Sequence, residues 1–331
     1  MTNPDFATTP LYLDAAAVAS CLPDAELYEV VKQTLRESVD SRAVNGPKVG
    51  FGVDVDGEHL HMGSVSGFIR SSEAAGLKWF VIAERNASRK LPRVPATVLV
   101  CDARTGLLDG VLDATQLTPD RTAAMAIAAA SACGRRSRRV AVIGAGLIGR
   151  ALIRLLALNL PVEEILVASL RQSSAGSVCA DVAASLPGNV RLSAVATVRE
   201  AVRDADIIFT ATGISEDSDL VRAEWLTTDA IVCCLGSRRE VDVRLIAEAC
   251  IVVDDPDGVK LRHTEFREGR AGSGRIAGTL GHLMAGSLEV LPRPKQRILL
   301  VLVGMGVLDV ALGARALANA RLAGAGIPLQ R

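Results

Sequence analysis

The stretch Val140-Ala141-Val142-Ile143-Gly144-Ala145-Gly146-Leu147-Ile148-Gly149 decides the fold. Its first four residues are apolar and mostly β-branched, as in a strand buried on both faces. A GxGxxG turn follows without a gap, and a helical pattern then runs from Leu147 to Leu158. Strand, glycine turn and helix in that order form a dinucleotide-binding fingerprint. Gly144 permits the tight turn, Gly146 lets the backbone approach a pyrophosphate, and Gly149 lets helix and strand pack together. The helix start presents free N–H groups and partial positive charge to the phosphates. Gly144, Ala145, Gly146, Leu147, Ile148 and Gly149 are therefore candidate cofactor-binding residues.

The same rhythm continues toward the C-terminus. Apolar strand patterns recur at Ile165–Ala168, Arg191–Val195, Ile207–Thr210, Ala230–Leu235, Cys250–Val253 and Ile298–Val303, mostly separated by helical patterns. This alternation predicts a doubly wound parallel sheet of Rossmann type. Ligands collect at the carboxyl ends of such strands. Thr210, Ala211 and Thr212 stand at one such end, and Gly236 with Ser237 at the next. NAD-preferring domains carry an acidic residue about twenty positions after the glycines. Here that point reads Val167-Ala168-Ser169-Leu170-Arg171. A serine and an arginine can hydrogen-bond a 2′-phosphate that a carboxylate would repel. Ser169 and Arg171 thus point to NADP, with NAD as the alternative.

Before the fingerprint the pattern differs. Asp24 to Val39 is helical, with Leu27, Val30, Val31, Leu35 and Val39 at helical spacing. Extended runs follow at Lys48–Val55, Leu77–Ala83, Val94–Cys101 and Leu107–Leu112, a succession that predicts a mostly antiparallel sheet. Thr118-Pro119-Asp120 starts a helix that reaches Cys133, with proline early in the helix. The polar segment 134–139 is the expected boundary, and a final helix runs from about Leu308 to Leu322. We read an α+β domain, discontinuous in sequence (1–134 plus 308–331), and a Rossmann domain over 135–307.

Composition excludes several classes. Hydrophobic residues are 49% of the 331, enough for two packed cores. Lys plus Arg equal Asp plus Glu at 37 each and aromatics are 3%, which argues against a nucleic-acid partner. The longest apolar run, Ile298 to Leu308, is about half a membrane span. The seven cysteines show no CxxC spacing and the four histidines no ligand spacing, so neither a metal nor disulfides are expected. The N-terminus lacks a signal-peptide pattern, and cytoplasmic residence is the expectation.

Several segments together resemble the ornithine cyclodeaminase/μ-crystallin family: Ala75-Gly76-Leu77-Lys78-Trp79, Asn86, Thr105-Gly106, Thr118-Pro119-Asp120-Arg121-Thr122-Ala123-Ala124, the glycine turn, and Gly304-Met305-Gly306-Val307-Leu308-Asp309. The resemblance implies a homodimer with a discontinuous substrate and dimerisation domain beside the Rossmann domain. It implies that Lys78, Arg42 and Arg121 hold a substrate carboxylate, with Lys78 also catalytic, and that Gly304 and Asp309 lie near the cofactor. True cyclodeaminases carry acidic residues where this chain has Leu60 and Arg238, and ring closure with loss of ammonia needs such proton carriers. The chain is more similar to the subgroup of dehydrogenases that make 2,3-diaminopropionate for siderophores, through Ser237–Val241, Val252–Asp255 and the closing glycine motif. Their substrate, N-(2-amino-2-carboxyethyl)-L-glutamate, has three carboxylates, which makes Arg238 a further substrate-binding candidate. The resemblance therefore implies an NAD(P)-dependent, imine-forming dehydrogenase or imine reductase acting on an amino-acid C–N bond. The alternatives are an ornithine or lysine cyclodeaminase and a μ-crystallin-like protein that binds NADPH without catalysis.

Overall fold

The computed structural model describes residues 9–213, 220–236, 240–263, 276–288 and 293–330. The chain divides into two compact units, Met1–Arg121 with Met305–Arg331, and Thr122–Gly304. Elements are numbered in chain order.

The first unit begins with β1 (Leu11–Leu13), α1 (Ala15–Cys21) and α2 (Asp24–Glu37). Asp14 caps α1 by accepting from the Ala17 amide at 2.8 Å. In α2, Leu27, Val31 and Leu35 recur every four residues and are buried, while Asp24 and Glu26 in the first turn and Arg36 in the last complement the helix dipole. Then come β2 (Ala43–Val55), β3 (Glu58–Ile69), β4 (Ala74–Ile82), β5 (Ala96–Asp102) and β6 (Leu108–Asp113). β2 and β3 form a long hairpin closed by Asp56-Gly57, both left-handed at φ 50° and 72°, the backbone that a two-residue hairpin turn requires. The extended runs read from apolar pattern omit β3, because its polar and glycine residues dilute the signal.

α3 (Leu117–Ala132) follows, and the division between the units falls inside it. The 134–139 segment joins α3 to β7 (Arg139–Ile143) within the second unit. That unit continues through α4 (Leu147–Asn159), β8 (Glu164–Ala168), α5 (Gln172–Ala183), β9 (Arg191–Ala194), α6 (Val198–Val202), β10 (Ile207–Thr210), β11 (Ile231–Cys234), α7 (Val243–Glu248), β12 (Cys250–Val253), α8 (Pro256–Arg262), β13 (Ile276–Thr279), α9 (Leu280–Met284) and β14 (Ile298–Val301). The chain then returns to the first unit as α10 (Gly306–Ala323), which ends on left-handed Gly324, and β15 (Ile327–Pro328).

The first unit holds a seven-stranded sheet in the order β15-β1-β6-β5-β4-β3-β2. Its pairings are antiparallel except β1 with β6. The second holds an eight-stranded sheet in the order β13-β12-β14-β11-β10-β7-β8-β9, parallel throughout. Every residue of β10, β11, β12 and β14 is buried, so their sequences run apolar without alternation. Strand order reverses between β7 and β10, which places a topological switch point beside the glycine turn. The α/β class with a Rossmann-type sheet and an α+β unit is therefore the observed architecture. The sequence reading lacks β13, which follows a glycine- and arginine-rich segment with no apolar run.

Among the described residues, no helix is long and apolar enough to cross a membrane, and no group of three or more acidic, histidine or cysteine side chains is placed to hold a metal ion. None of the seven cysteines is in a disulfide.

Candidate active site

Two constellations stand out, one in each unit. In the second unit, β7 delivers the chain into Gly144 at φ +120°, a backbone that side-chain-bearing residues rarely adopt. A Cβ on Gly144 would lie 2.5 Å from the Ala211 carbonyl oxygen, so glycine is required twice over. A Cβ on Gly149 would run into the Gly144 carbonyl, which is how that glycine seats α4 against the turn. Gly146 differs: it is exposed, and nothing lies within 4 Å of the place its Cβ would take. α4 starts there with no side chain capping its first amides. An uncapped helix start behind an open glycine is the cradle a diphosphate needs, so these residues fit a dinucleotide.

Around this turn the other candidates divide. Ser169 is half-buried just beyond β8, Leu170 is 98% exposed, and Arg171 stands exposed at the start of α5. No acidic residue ends β8. Thr210 and Thr212 turn inward. The Thr210 hydroxyl donates to Glu240 Oε2 at 2.6 Å, the Thr212 amide donates to Oε1 at 2.9 Å, and the Thr212 hydroxyl also meets Oε1. The Ala211 amide continues the sheet by donating to the Ile143 carbonyl at 2.8 Å. Gly304, at φ +88°, donates its amide to Asp254 Oδ2 at 2.6 Å. Asp254 is buried and also accepts from the amides of Asp255 and Val303, while burial pushes its carboxyl up. Gly236 is half-buried at the end of β11, and Ser237 and Arg238 lie outside the described residues.

The second constellation lies in the first unit. Lys78 on β4, Arg121 in the second turn of α3 and Asp309 in the first turn of α10 meet below the sheet. Lys78 Nζ and Arg121 Nε each lie 3.1 Å from Asp309 Oδ1. All are buried, with 2%, 7% and 0% of their surface exposed, so two cations share one carboxylate out of water. Asp309 Oδ2 is buried and has no hydrogen-bond partner. Backbone contacts make this meeting possible. Asn45 Oδ1 accepts from the Gly306 amide at 2.7 Å and so caps α10. A Cβ on Gly306 would lie 2.7 Å from the Ser66 carbonyl oxygen, and one on Gly67 would strike Val307. Glycine on both sides lets the helix start touch β3, which brings Asp309 within reach of Lys78.

Burial pushes the Lys78 ammonium down to about 7, with repulsion from Arg121 and Lys48 adding to the shift and attraction to Asp309 opposing it. The lysine can therefore gain or lose a proton near neutrality. Lys48 is a residue the sequence reading missed. It pairs with Val65, which pairs with Lys78, so all three share one face of the sheet. The register was hidden in sequence because β3 was not recognised.

Arg42 and Asp309 are placed differently with respect to this cluster. Arg42 is not brought to this cluster: it precedes β2, its side chain is 54% exposed, and its Nε lies 2.9 Å from Asp40 Oδ2. Left-handed Ser41 at φ 59° turns the loop just before it. Asp309 is the cluster's shared carboxylate within the first unit, because the glycine contacts pull its helix onto β3.

Residues 11–321 match the family model described as Ornithine cyclodeaminase/mu-crystallin family. The chain belongs to this family. Among curated members it is 26% identical over 297 residues to the nodulation efficiency protein NfeD of Rhizobium meliloti, covering 88% of this chain and 89% of that one. It is 32% identical over 186 residues to a Delta(1)-pyrroline-2-carboxylate reductase of Paracoccus denitrificans, covering 54% and 57%. The fold is that of the Thermococcus litoralis Delta(1)-pyrroline-2-carboxylate reductase in complex with NADH and L-proline, at a TM-score of 0.86 and 22% identity over 96% of this chain and 100% of that one. Family membership thus unites the glycine turn and the buried cation pair in one polypeptide.

Proposed function

We propose that this family member is an NAD(P)-dependent oxidoreductase of an amino-acid C–N bond, reducing an α-imino acid or oxidising the matching amine. One observation carries this reading: Lys78, buried beside Arg121 on a shared carboxylate and poised near pH 7. Reduction of C=N needs a proton at nitrogen and a fixed carboxylate nearby, and a lysine of that pKa can supply the proton near neutral pH. Arg121 and Lys48 are the groups for the carboxylate, the guanidinium offering paired donors. Asp309 keeps Lys78 from losing its charge altogether. A nicotinamide dinucleotide, when bound, supplies or accepts the hydride. Gly144, Gly146 and the first amides of α4 would hold its diphosphate. The relatives named as pyrroline-2-carboxylate reductases favour the same chemistry.

NADP is the preferred form, because Ser169 and Arg171 replace the acid that would repel a 2′-phosphate. At the finer level, the Ser237–Val241 pattern favours a substrate like N-(2-amino-2-carboxyethyl)-L-glutamate. The working assembly is a homodimer. β2 is an edge strand exposed along most of its length, and Val49, Phe51 and Trp79 expose apolar surface on the sheet face opposite Lys78. The rings of Phe51 and Trp79 lie 6.4 Å apart. An apolar sheet face beside a long open edge calls for cover.

The test is oxidation of NADPH and NADH, followed by absorbance, with cyclic imino acids and with α-keto acids plus amines. Turnover dependent on Lys78 is the expected result. Tight coenzyme binding with no turnover on any imine would overturn the reading, as would ammonia release from ornithine with no net coenzyme change.

A further inference from the structure

Glu240 has none of its surface exposed, yet it carries a carboxylate. Burying that group is tolerable only when hydrogen bonds replace water. Three hydrogen bonds reach it from one short turn: from the hydroxyl of Thr210, and from both the hydroxyl and the amide of Thr212. The backbone around Glu240 is fixed as well. Its carbonyl accepts from the Val221 amide at 2.9 Å, the Asp242 amide donates to the Val221 carbonyl at 3.0 Å, and Val221 bridges Val241 in parallel. Gly236 completes the fit. A Cβ there would lie 2.8 Å from Glu240 Oε1, so only glycine leaves room for the carboxylate.

The turn held in this way sits against the diphosphate cradle. Thr210 pairs with Ile143, and a Cβ on Gly144 would meet the Ala211 carbonyl. The floor beside the glycine turn is thus held in shape by a fully buried acid. We propose that Glu240 is a positioning residue for dinucleotide binding: it locks the Thr210–Gly213 turn in the shape against which the coenzyme lies. This rests on the reading that the second unit binds a pyridine dinucleotide. The protons of both threonine hydroxyls are then committed to Glu240, which leaves only their lone pairs to a ligand. The effect is also blind to the 2′-phosphate, because Ser169 and Arg171 belong to a different strand end.

The experiment measures dissociation constants of NADH and NADPH by calorimetry for the full chain and for Glu240→Ala, Glu240→Gln and Thr212→Val, with the steady-state KM of each substrate alongside. Leaving buried donors without an acceptor typically shifts an equilibrium about tenfold or more. Glu240→Ala is expected to weaken both coenzymes by the same factor, about tenfold or more, and to raise KM for coenzyme rather than for the imino acid. Glu240→Gln, which keeps one acceptor oxygen and the shape, is expected to recover most of the affinity. If Glu240→Ala does not fold, Thr212→Val carries the same test with the backbone intact. A folded variant with unchanged coenzyme affinity overturns the proposal, as does a loss confined to NADPH or a rise only in the imino-acid KM. Binding of neither coenzyme by the unaltered protein would instead overturn the function on which the proposal rests.

Discussion

The glycine turn and the Lys78 cluster meet opposite demands. The turn occupies six consecutive residues, Gly144–Gly149, and its character lies in what is absent: side chains at Gly144 and Gly149, a side-chain cap at the start of α4, and any described atom where a Cβ on Gly146 would stand. The cluster draws residues 78, 121 and 309 from three elements, and its function lies in crowding two cations onto one buried carboxylate. At Gly144 and Gly149 the turn tolerates no added atoms, and the cluster tolerates no lost charge. Local backbone geometry suffices for the first. The second depends on a helix that enters the first unit again after the whole second unit has been threaded.

That contrast breaks most sharply at Lys78. Lys78→Met is expected to reduce turnover by about 10²–10⁴-fold, the usual range for a positioned proton carrier, while coenzyme affinity stays unchanged. Parallel calorimetry and stopped-flow assays check both halves. Asp309→Asn should act on folding and on titration together. It strands two buried cations, which costs about 3–5 kcal/mol, read in urea denaturation. It also removes the attraction that opposes the Lys78 shift, so the pH limb belonging to Lys78 moves to more acid values. In the parent enzyme that limb lies near pH 7. Imine reduction, which uses the protonated lysine, declines above it, and amine oxidation, which uses the neutral form, rises through it.

The two glycines sharpen the comparison from the other side. Gly149→Ala forces a methyl into the Gly144 carbonyl and is expected to destabilise the protein by about 1–3 kcal/mol. Gly146→Ala meets nothing among the described residues, so its denaturation midpoint should hold while coenzyme affinity falls. Equal loss of stability in both variants would show that the open space at Gly146 is not reserved for a ligand. A smaller effect concerns stability against pH. Folded Lys78 releases its proton near 7 and the unfolded lysine near 10.5, so between those values the unfolded chain binds more protons and stability rises with pH. Lys78→Met should flatten that rise. The smallest effect is expected at Arg171, which is exposed: Arg171→Ala should weaken NADPH by up to about tenfold and leave NADH unaffected.

Legibility followed the same divide. β7, the turn and α4 could be read directly because apolar period, glycine spacing and helical pattern all lie within one short window. β3 could not, since its glycine, serine and histidine residues mask the alternation, although Asp56-Gly57 is a hairpin signal that was available. Missing β3 hid the register that sets Lys48 beside Lys78, while Arg42 entered only through the family resemblance. Glu240 was visible only as part of the Ser237–Val241 resemblance, with no hint of a bracing role, because that role comes from burial and from donors about thirty residues upstream.

The parallel sheet, the GxGxxG turn, the missing acid after β8 and the presence of Lys78 and Arg121 were all legible in the sequence, because each depends on local pattern or residue type. Only the tertiary structure decided that Asp309 joins those two cations, that Lys48 faces them while Arg42 does not, and that Glu240 braces the turn after β10. The physical reason is that charge pairing and desolvation depend on distance and burial, and those quantities exist only once remote segments have packed.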